Sequence, residues 1–418
     1  MFKPRRVWLW TMLAAVALAT LFVSMGGTAT AQGDVTPQTA TPQPSPTNNG
    51  GSAQWTINAM TYQSNYPKGM AFALDVSSSG GKIVEAGVIW SHSPGYIKRA
   101  PGTIDSSGKI SASWDASADP VPPWVGVEYW WTLKDAAGNI YETPHKYNEY
   151  ADKGNKWKRL ESEDVIIFWQ DGIPDNVGPL TVQAMKEQRP FYYQNWGKLL
   201  NYKPRAMIFR DRNSFAEWNP DLKPIPGALT FTAGRTDSHW GATVQVYLDY
   251  LGTSDTAYTL VLHEVGHLYQ SASGGGSQGV DWFLEGDATY FELKESPNCV
   301  ERSKQRAQAG EFPSLQGDGP SIRGNDALEG YDIGCAFFNW LAQTYGPDAH
   351  RMLWQTLAKG VARADALEQI TGLTFVDMDT AFRKWIGVEN AVAPTPIELP
   401  TSEFPPTRDP SAKRTPRP

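Results

Sequence analysis

The chain has 418 residues, with 37 Lys and Arg against 44 Asp and Glu, for a net charge of −7. That length points to two or three units rather than one core, and the acidic balance excludes a nucleic-acid surface, which needs clustered bases against phosphate. With 41% hydrophobic residues the chain is not wholly disordered, and two cysteines allow one bridge but neither a disulfide scaffold nor a four-cysteine zinc site.

Residues 1–31 read as a secretory signal. Lys3, Arg5 and Arg6 precede an apolar run over 7–23, and Ala29-Thr30-Ala31 supplies a small-residue cleavage site. The expectation is a secreted or extracytoplasmic protein with no membrane insertion after cleavage. An uncleaved anchor is the alternative, since about seventeen apolar residues is the lower limit for spanning. Residues 32–54 are Thr- and Pro-rich and read as a flexible linker, and 391–418 read as a Pro-rich disordered tail.

Residues 55–160 alternate with period two. Phe72, Leu74 and Val76 share one face, as do Val125, Val127, Tyr129, Trp131 and Leu133, and residues 135–139 have hairpin chemistry. Short strands with turns between them predict an immunoglobulin- or fibronectin-like β-sandwich. Trp130 and Trp131 point to opposite faces: one belongs to the core, the other to a domain interface or a sugar platform. Residues 161–390 change character. Short strands at 165–169, 205–209 and 244–248, and a helix over 179–200 interrupted by Pro190, precede helices at 331–345, 348–358, 365–370 and 376–385. A small sheet followed by helices is an α+β domain.

The chemistry centres on His263-Glu264-Val265-Gly266-His267. On a helix capped by Ser254 or Asp255, residues four apart share a face, so both imidazoles can aim at one ion. Zinc takes such nitrogens tetrahedrally, leaving room for further ligands. Glu264 lies about 100° round the helix and can reach an activated water instead of the metal. The third ligand comes from Asp281-Trp282-Phe283-Leu284-Glu285-Gly286-Asp287-Ala288-Thr289-Tyr290, a returning helix after a glycine loop. Glu285 is the choice, with Asp287 and Glu292 as alternatives.

HEVGH followed by WFLEGDATYFE resembles the gluzincin zinc metallopeptidases, and most nearly the peptidase MA-like family of bacterial exported proteins, which place a β-sandwich before the catalytic domain. The resemblance implies a multidomain chain: an all-β sandwich followed by an α+β zincin-like (gluzincin) domain. It implies one Zn2+ held by His263, His267 and Glu285, with Glu264 as general base. Tyr331-Asp332-Ile333-Gly334 fits the family's oxyanion tyrosine, which makes Tyr331 the second catalytic candidate. One departure bears on specificity. Where the related aminopeptidases carry an amine-binding Glu, the comparable residues 226–230 have no carboxylate, so endopeptidase action on a peptide or protein is expected. The strand over 244–248 is expected to border the cleft and pair with extended substrate.

Cys299 and Cys335 are expected to be bridged, since export places them in an oxidising compartment. The bridge would tie the end of the Glu285 helix to the helix carrying Tyr331 and contribute about 3–4 kcal/mol. The other histidines, His92, His145, His239 and His350, have surface or loop roles by default, with His239 the one near substrate. Two alternative functions stay open: an inactive cell-envelope binding protein on a peptidase fold, contacting the envelope through its sandwich, and a zinc hydrolase of a non-peptide amide.

Overall fold

A computed structural model describes residues 53–223, 233–275, 281–317, 319–322, 328–388 and 391. The signal segment, nearly all of the linker, the tail beyond 391 and residues 226–230 lie outside the described residues. No helix among the described residues is long and apolar enough to cross a membrane.

The first strands form two antiparallel sheets. One contains Trp55–Ser64, Gly69–Ser78, Ile110–Asp115 and Thr103–Ile104; the other contains Tyr96–Pro101, Ile83–Ser93, Gly126–Asp135 and Ile140–Glu142, with Lys146–Glu149 added along Gly126–Asp135. The alternation has its expected outcome: Phe72, Leu74 and Val76, and Val127, Tyr129, Trp131 and Leu133, are all buried. They join one cluster, because a period of two sends every second side chain to the same face. The turn after Asp135 is held by its own carboxylate, which accepts from the backbone N–H groups of Ala137 (3.0 Å) and Asn139 (2.9 Å). Trp131 is the core residue of its pair. Trp130 lies flat on His145, with centroids 4.1 Å apart.

A third, mixed sheet follows in the order Trp157–Glu161, Ile166–Gln170, Arg205–Phe209, Ala242–Val246, Gly234–Asp237. Its first strand, Trp157–Glu161, spans the boundary expected at 160. The two inner pairings are parallel and the two outer ones antiparallel. Its central strands are buried along nearly their whole length, Thr243 and Gln245 included, because both faces are covered. Val165, Ile167, Trp169, Ala206 and Ile208 face the helices. Ile166, Phe168, Met207, Phe209 and Val244 belong to the core cluster of the first two sheets.

The junction is polar as well as apolar. Arg205 donates to Glu149 Oε1 (2.6 Å) and to the carbonyl of Trp124 (2.8 Å), and Trp124 stacks on Phe168. Strand Ala242–Val246 lies inside the sheet, so it has no free edge for substrate; the edge belongs to Gly234–Asp237.

The helix Val177–Trp196 runs unbroken through Pro190, although proline removes one backbone donor. Helices Leu328–Tyr345, Ala349–Leu357, Arg363–Thr371 and Phe375–Ile386 match the expected segments closely, with Gly346 and Gly372 at the stops. Helix Ser296–Ala309 was not anticipated, since its sequence is mostly polar and buries only Cys299, Ser303 and Ala307.

His92 is buried rather than exposed, and its Nδ1 lies 2.8 Å from the carbonyl of Gly126. Burial pulls its pKa down to about 4, against a smaller opposing effect of that hydrogen bond. The unfolded chain therefore takes up the proton first, and the stability conferred by the neutral ring is lost as pH falls from about 6.5 towards 4. Urea unfolding at pH 7 and 4.5 is expected to show a decline about 2–3 kcal/mol smaller for His92→Gln than for the unsubstituted protein.

Candidate metal centre

The helical path to the HEVGH motif starts at Gly252 and passes through a π-turn, Thr256–Val261, before the α-helix Leu262–Ser273. Such turns recur at functional sites because they rotate the following residues relative to the preceding face. Neither proposed cap is used: the helix makes no side-chain cap bond, and the Asp255 carboxylate pairs with Lys294 instead.

The next helix, Asp281–Tyr290, brings Glu285 to the two histidines. Glu285 Oε2 lies 3.0 Å from His263 Nε2 and 3.5 Å from His267 Nε2. Ligand-capable atoms of the three residues all fall within 4.8 Å of one another, the single such trio among the described residues. Burial opposes ionisation of Glu285, but hydrogen bonds from both imidazoles hold its carboxyl far below the usual range.

Both histidines are oriented from behind. His263 Nδ1 lies 2.7 Å from Glu292 Oε1, and His267 Nδ1 lies 2.9 Å from Gln270 Oε1. That leaves each Nε2 facing the Glu285 carboxylate. Two imidazole nitrogens and one carboxylate, with the far nitrogens held by a carboxylate and an amide, form a donor set that suits zinc and leaves a coordination place open. Asp287 and Glu292, the alternative ligands, are both turned to support. Gln270 donates to Asp287 Oδ2 (2.9 Å), and Asp287 Oδ1 meets His350 Nε2 at 2.6 Å. His350 is buried, which overturns its default surface role; its Nδ1 lies 3.0 Å from the carbonyl of Asn195. Spacing did not reveal this chain, because His350 sits 63 residues from Asp287.

Glu264 is buried against the edge strand. Thr236 Oγ1 lies 2.6 Å from its Oε2 and 2.9 Å from its backbone carbonyl. Gly234 makes room: a Cβ there would fall 2.1 Å from Glu264 Oε1. Burial raises the carboxyl's pKa, the direction that suits a proton acceptor working near neutrality.

Tyr331 comes from helix Leu328–Tyr345, with its ring centroid 5.7 Å from that of His263. Burial first, then the charges of Glu285 and Glu264, push its hydroxyl pKa up, so it remains a donor. The Glu285 and Tyr331 helices cross at two glycines. A Cβ on Gly286 would lie 2.3 Å from Gly334 Cα, and one on Gly334 would lie 2.3 Å from the carbonyl of Trp282.

Cys299 and Cys335 form a disulfide with Cα atoms 6.1 Å apart. It joins the Tyr331 helix to Ser296–Ala309, the helix after the one bearing Glu285, rather than to the Glu285 helix itself. Arg302 reinforces the link with two-pronged hydrogen bonds to Asp332. Exposed His239 packs against Tyr96 of the second sheet, with centroids 4.1 Å apart.

No protein-family model matches the chain. No curated protein matches it either. Among solved structures it is similar to a variant of an M1 zinc metallopeptidase from Deinococcus radiodurans bound to a Tyr-Ser-Ala substrate, at 12% identity over 79% of this chain and 93% of that one, with a TM-score of 0.34. It is similar to leukotriene A4 hydrolase from Saccharomyces cerevisiae at 9% identity, 82% and 69% coverage and a TM-score of 0.30. A polysaccharide deacetylase from Bacillus cereus follows at 10% identity, 58% and 79% coverage and a TM-score of 0.19.

Two outcomes are expected. Gly334→Ala should cost roughly 1–3 kcal/mol in urea unfolding, because its methyl meets backbone that has no room to yield. Glu292→Gln should weaken zinc affinity by about 10–100-fold in chelator competition, since it removes the charge that orients His263.

Proposed function

We propose that the protein is an exported zinc-dependent peptidase that hydrolyses internal peptide bonds. The observation that carries this reading is the convergence of His263, His267 and Glu285 within 4.8 Å, with Glu264 anchored beside them by Thr236. In this reading the three residues hold one zinc ion, which when bound supplies Lewis acidity to a carbonyl and to water.

The chain's own residues do the rest. Glu264, its pKa raised by burial, takes a proton from the attacking water and delivers it to the departing amine. Thr236 and the bare surface of Gly234 hold that carboxylate in one orientation against the edge strand. Tyr331, kept protonated, donates its hydroxyl to the oxygen that becomes negative as the carbonyl turns tetrahedral. Gly234–Asp237, the outermost strand among the described residues, offers backbone groups to an extended substrate, the role expected of the neighbouring strand.

Endopeptidase action is supported by the sequence at 226–230, which has no carboxylate to receive a substrate amine. Export is supported by the signal-like residues 1–31 and by the Cys299–Cys335 bridge, since disulfides persist in oxidising compartments.

Glu264→Gln should retain one zinc per chain by elemental analysis yet lose about 10²–10⁴-fold in kcat on casein-derived peptides. Tyr331→Phe should lose about 10²–10³-fold in kcat with KM nearly unchanged. Unaltered turnover in Glu264→Gln would refute the base assignment.

A further inference from the structure

A cleft of about 870 Å³ is lined by none of the site residues described above. One wall is the turn over 93–96 from the second sheet. The others are the end of the long helix with the loop after it, the last turn of the motif helix, and helix Ala349–Leu357 with the residues following it. This volume lies in the usual range for ligand sites.

Its charge is one-sided. Lys198, Arg351 and Lys359 line it, and among the described residues no carboxylate does, although acids outnumber bases in the whole chain. Arg351 pairs with Asp348 at 2.9 Å, whereas neither lysine has an ion pair among the described residues. Lys198 and Lys359 each follow a helix end, where a cation complements exposed carbonyls. That role accounts for each singly, but not for three cations facing one cleft with no opposing acid. Walls of low dielectric strengthen such a field and draw in a negative ligand.

The cleft also meets the path of an extended substrate. Edge strand Gly234–Asp237 touches Glu264 through Thr236 and leads into Ser238, which lines the cleft. At the rise of a β-strand, Ser238 is roughly 7 Å from Thr236. Ser238 is fixed there from both sides: its hydroxyl lies 3.2 Å from the Tyr96 hydroxyl, and its carbonyl accepts from Ser93 Oγ at 2.6 Å. On the motif helix, Ser271 also lines the cleft and lies one turn beyond His267.

We infer that this cleft binds an acidic stretch of the polypeptide substrate, remote from the scissile bond, and so selects acidic proteins. The inference rests on the peptidase reading for the path of the chain, but the binding can be measured without turnover. The full-length Glu264→Gln protein should bind fluorescein-labelled hexaglutamate in fluorescence anisotropy at least tenfold more tightly than labelled hexaglutamine. Adding Lys198→Glu and Lys359→Glu should weaken hexaglutamate at least tenfold and leave hexaglutamine unchanged. With Glu264 intact, a peptide carrying a Glu-rich end should have a KM several-fold below that of its Gln-rich counterpart. The two lysine substitutions should erase that difference and preserve kcat on the neutral peptide. Equal binding of the two hexapeptides, or hexaglutamate binding unmoved by the double substitution, would overturn the inference. So would tighter binding of an oligogalacturonate of equal charge, which would make the ligand an anionic glycan. Selective hexaglutamate binding with no cleavage of any peptide by the unsubstituted protein would sink the peptidase reading alone.

Discussion

Gly286 and Gly334 let two helices touch backbone to backbone, and the geometry of the metal centre follows from that contact. Glu285 precedes the first glycine and Tyr331 lies three residues before the second, so the crossing sets how far carboxylate and phenol stand from the histidines. Any larger residue would separate the helices, because the atoms facing each glycine are backbone and cannot rotate away. The Cys299–Cys335 bridge and the Arg302–Asp332 pair then hold the Tyr331 helix from its other side. Crossing, bridge and ion pair, at Gly334, Cys335 and Asp332, fall within about one turn of the helix that carries Tyr331.

The second constraint is the two-faced sheet. Its helical face carries the motif helix and its other face closes the core of the first two sheets, so those sheets are structural partners of the site and not a detachable appendage. Arg205, at the start of a central strand, reaches across to Glu149 and Trp124, and His92 is buried nearby as a neutral ring. The same junction brings the 93–96 turn against Ser238, next to the strand that holds Glu264. The cleft flanked by that turn is lined by both parts of the chain.

Buried polar groups behind His263, His267 and Glu285 extend the order outward. From His267 the bonds run through Gln270 and Asp287 to His350 and the backbone of Asn195. Beyond the half-buried His267, each member is buried with its partner, which is the condition under which such groups stabilise a structure rather than strain it. Asp287 is thereby committed to support, and Glu285 is left as the one carboxylate of its helix that faces both imidazoles.

Local periodicity determined much of this protein by itself. Alternating Phe72, Leu74 and Val76 specified a sheet face, and the four-residue step from His263 to His267 specified two imidazoles on one side of a helix, because both depend only on backbone repeat. That Glu285 would face the two imidazoles was legible too, since a returning helix presents one face at a time. What only the tertiary structure decided depends on residues far apart in the chain. It includes the edge position of Gly234–Asp237, the Thr236 bond to Glu264, the burial of His92 and His350, and the placing of Cys299 on a helix of its own. Sheet order and long-range hydrogen bonds are set by packing between elements, and a sequence pattern records which face of an element is apolar without recording which neighbour covers it.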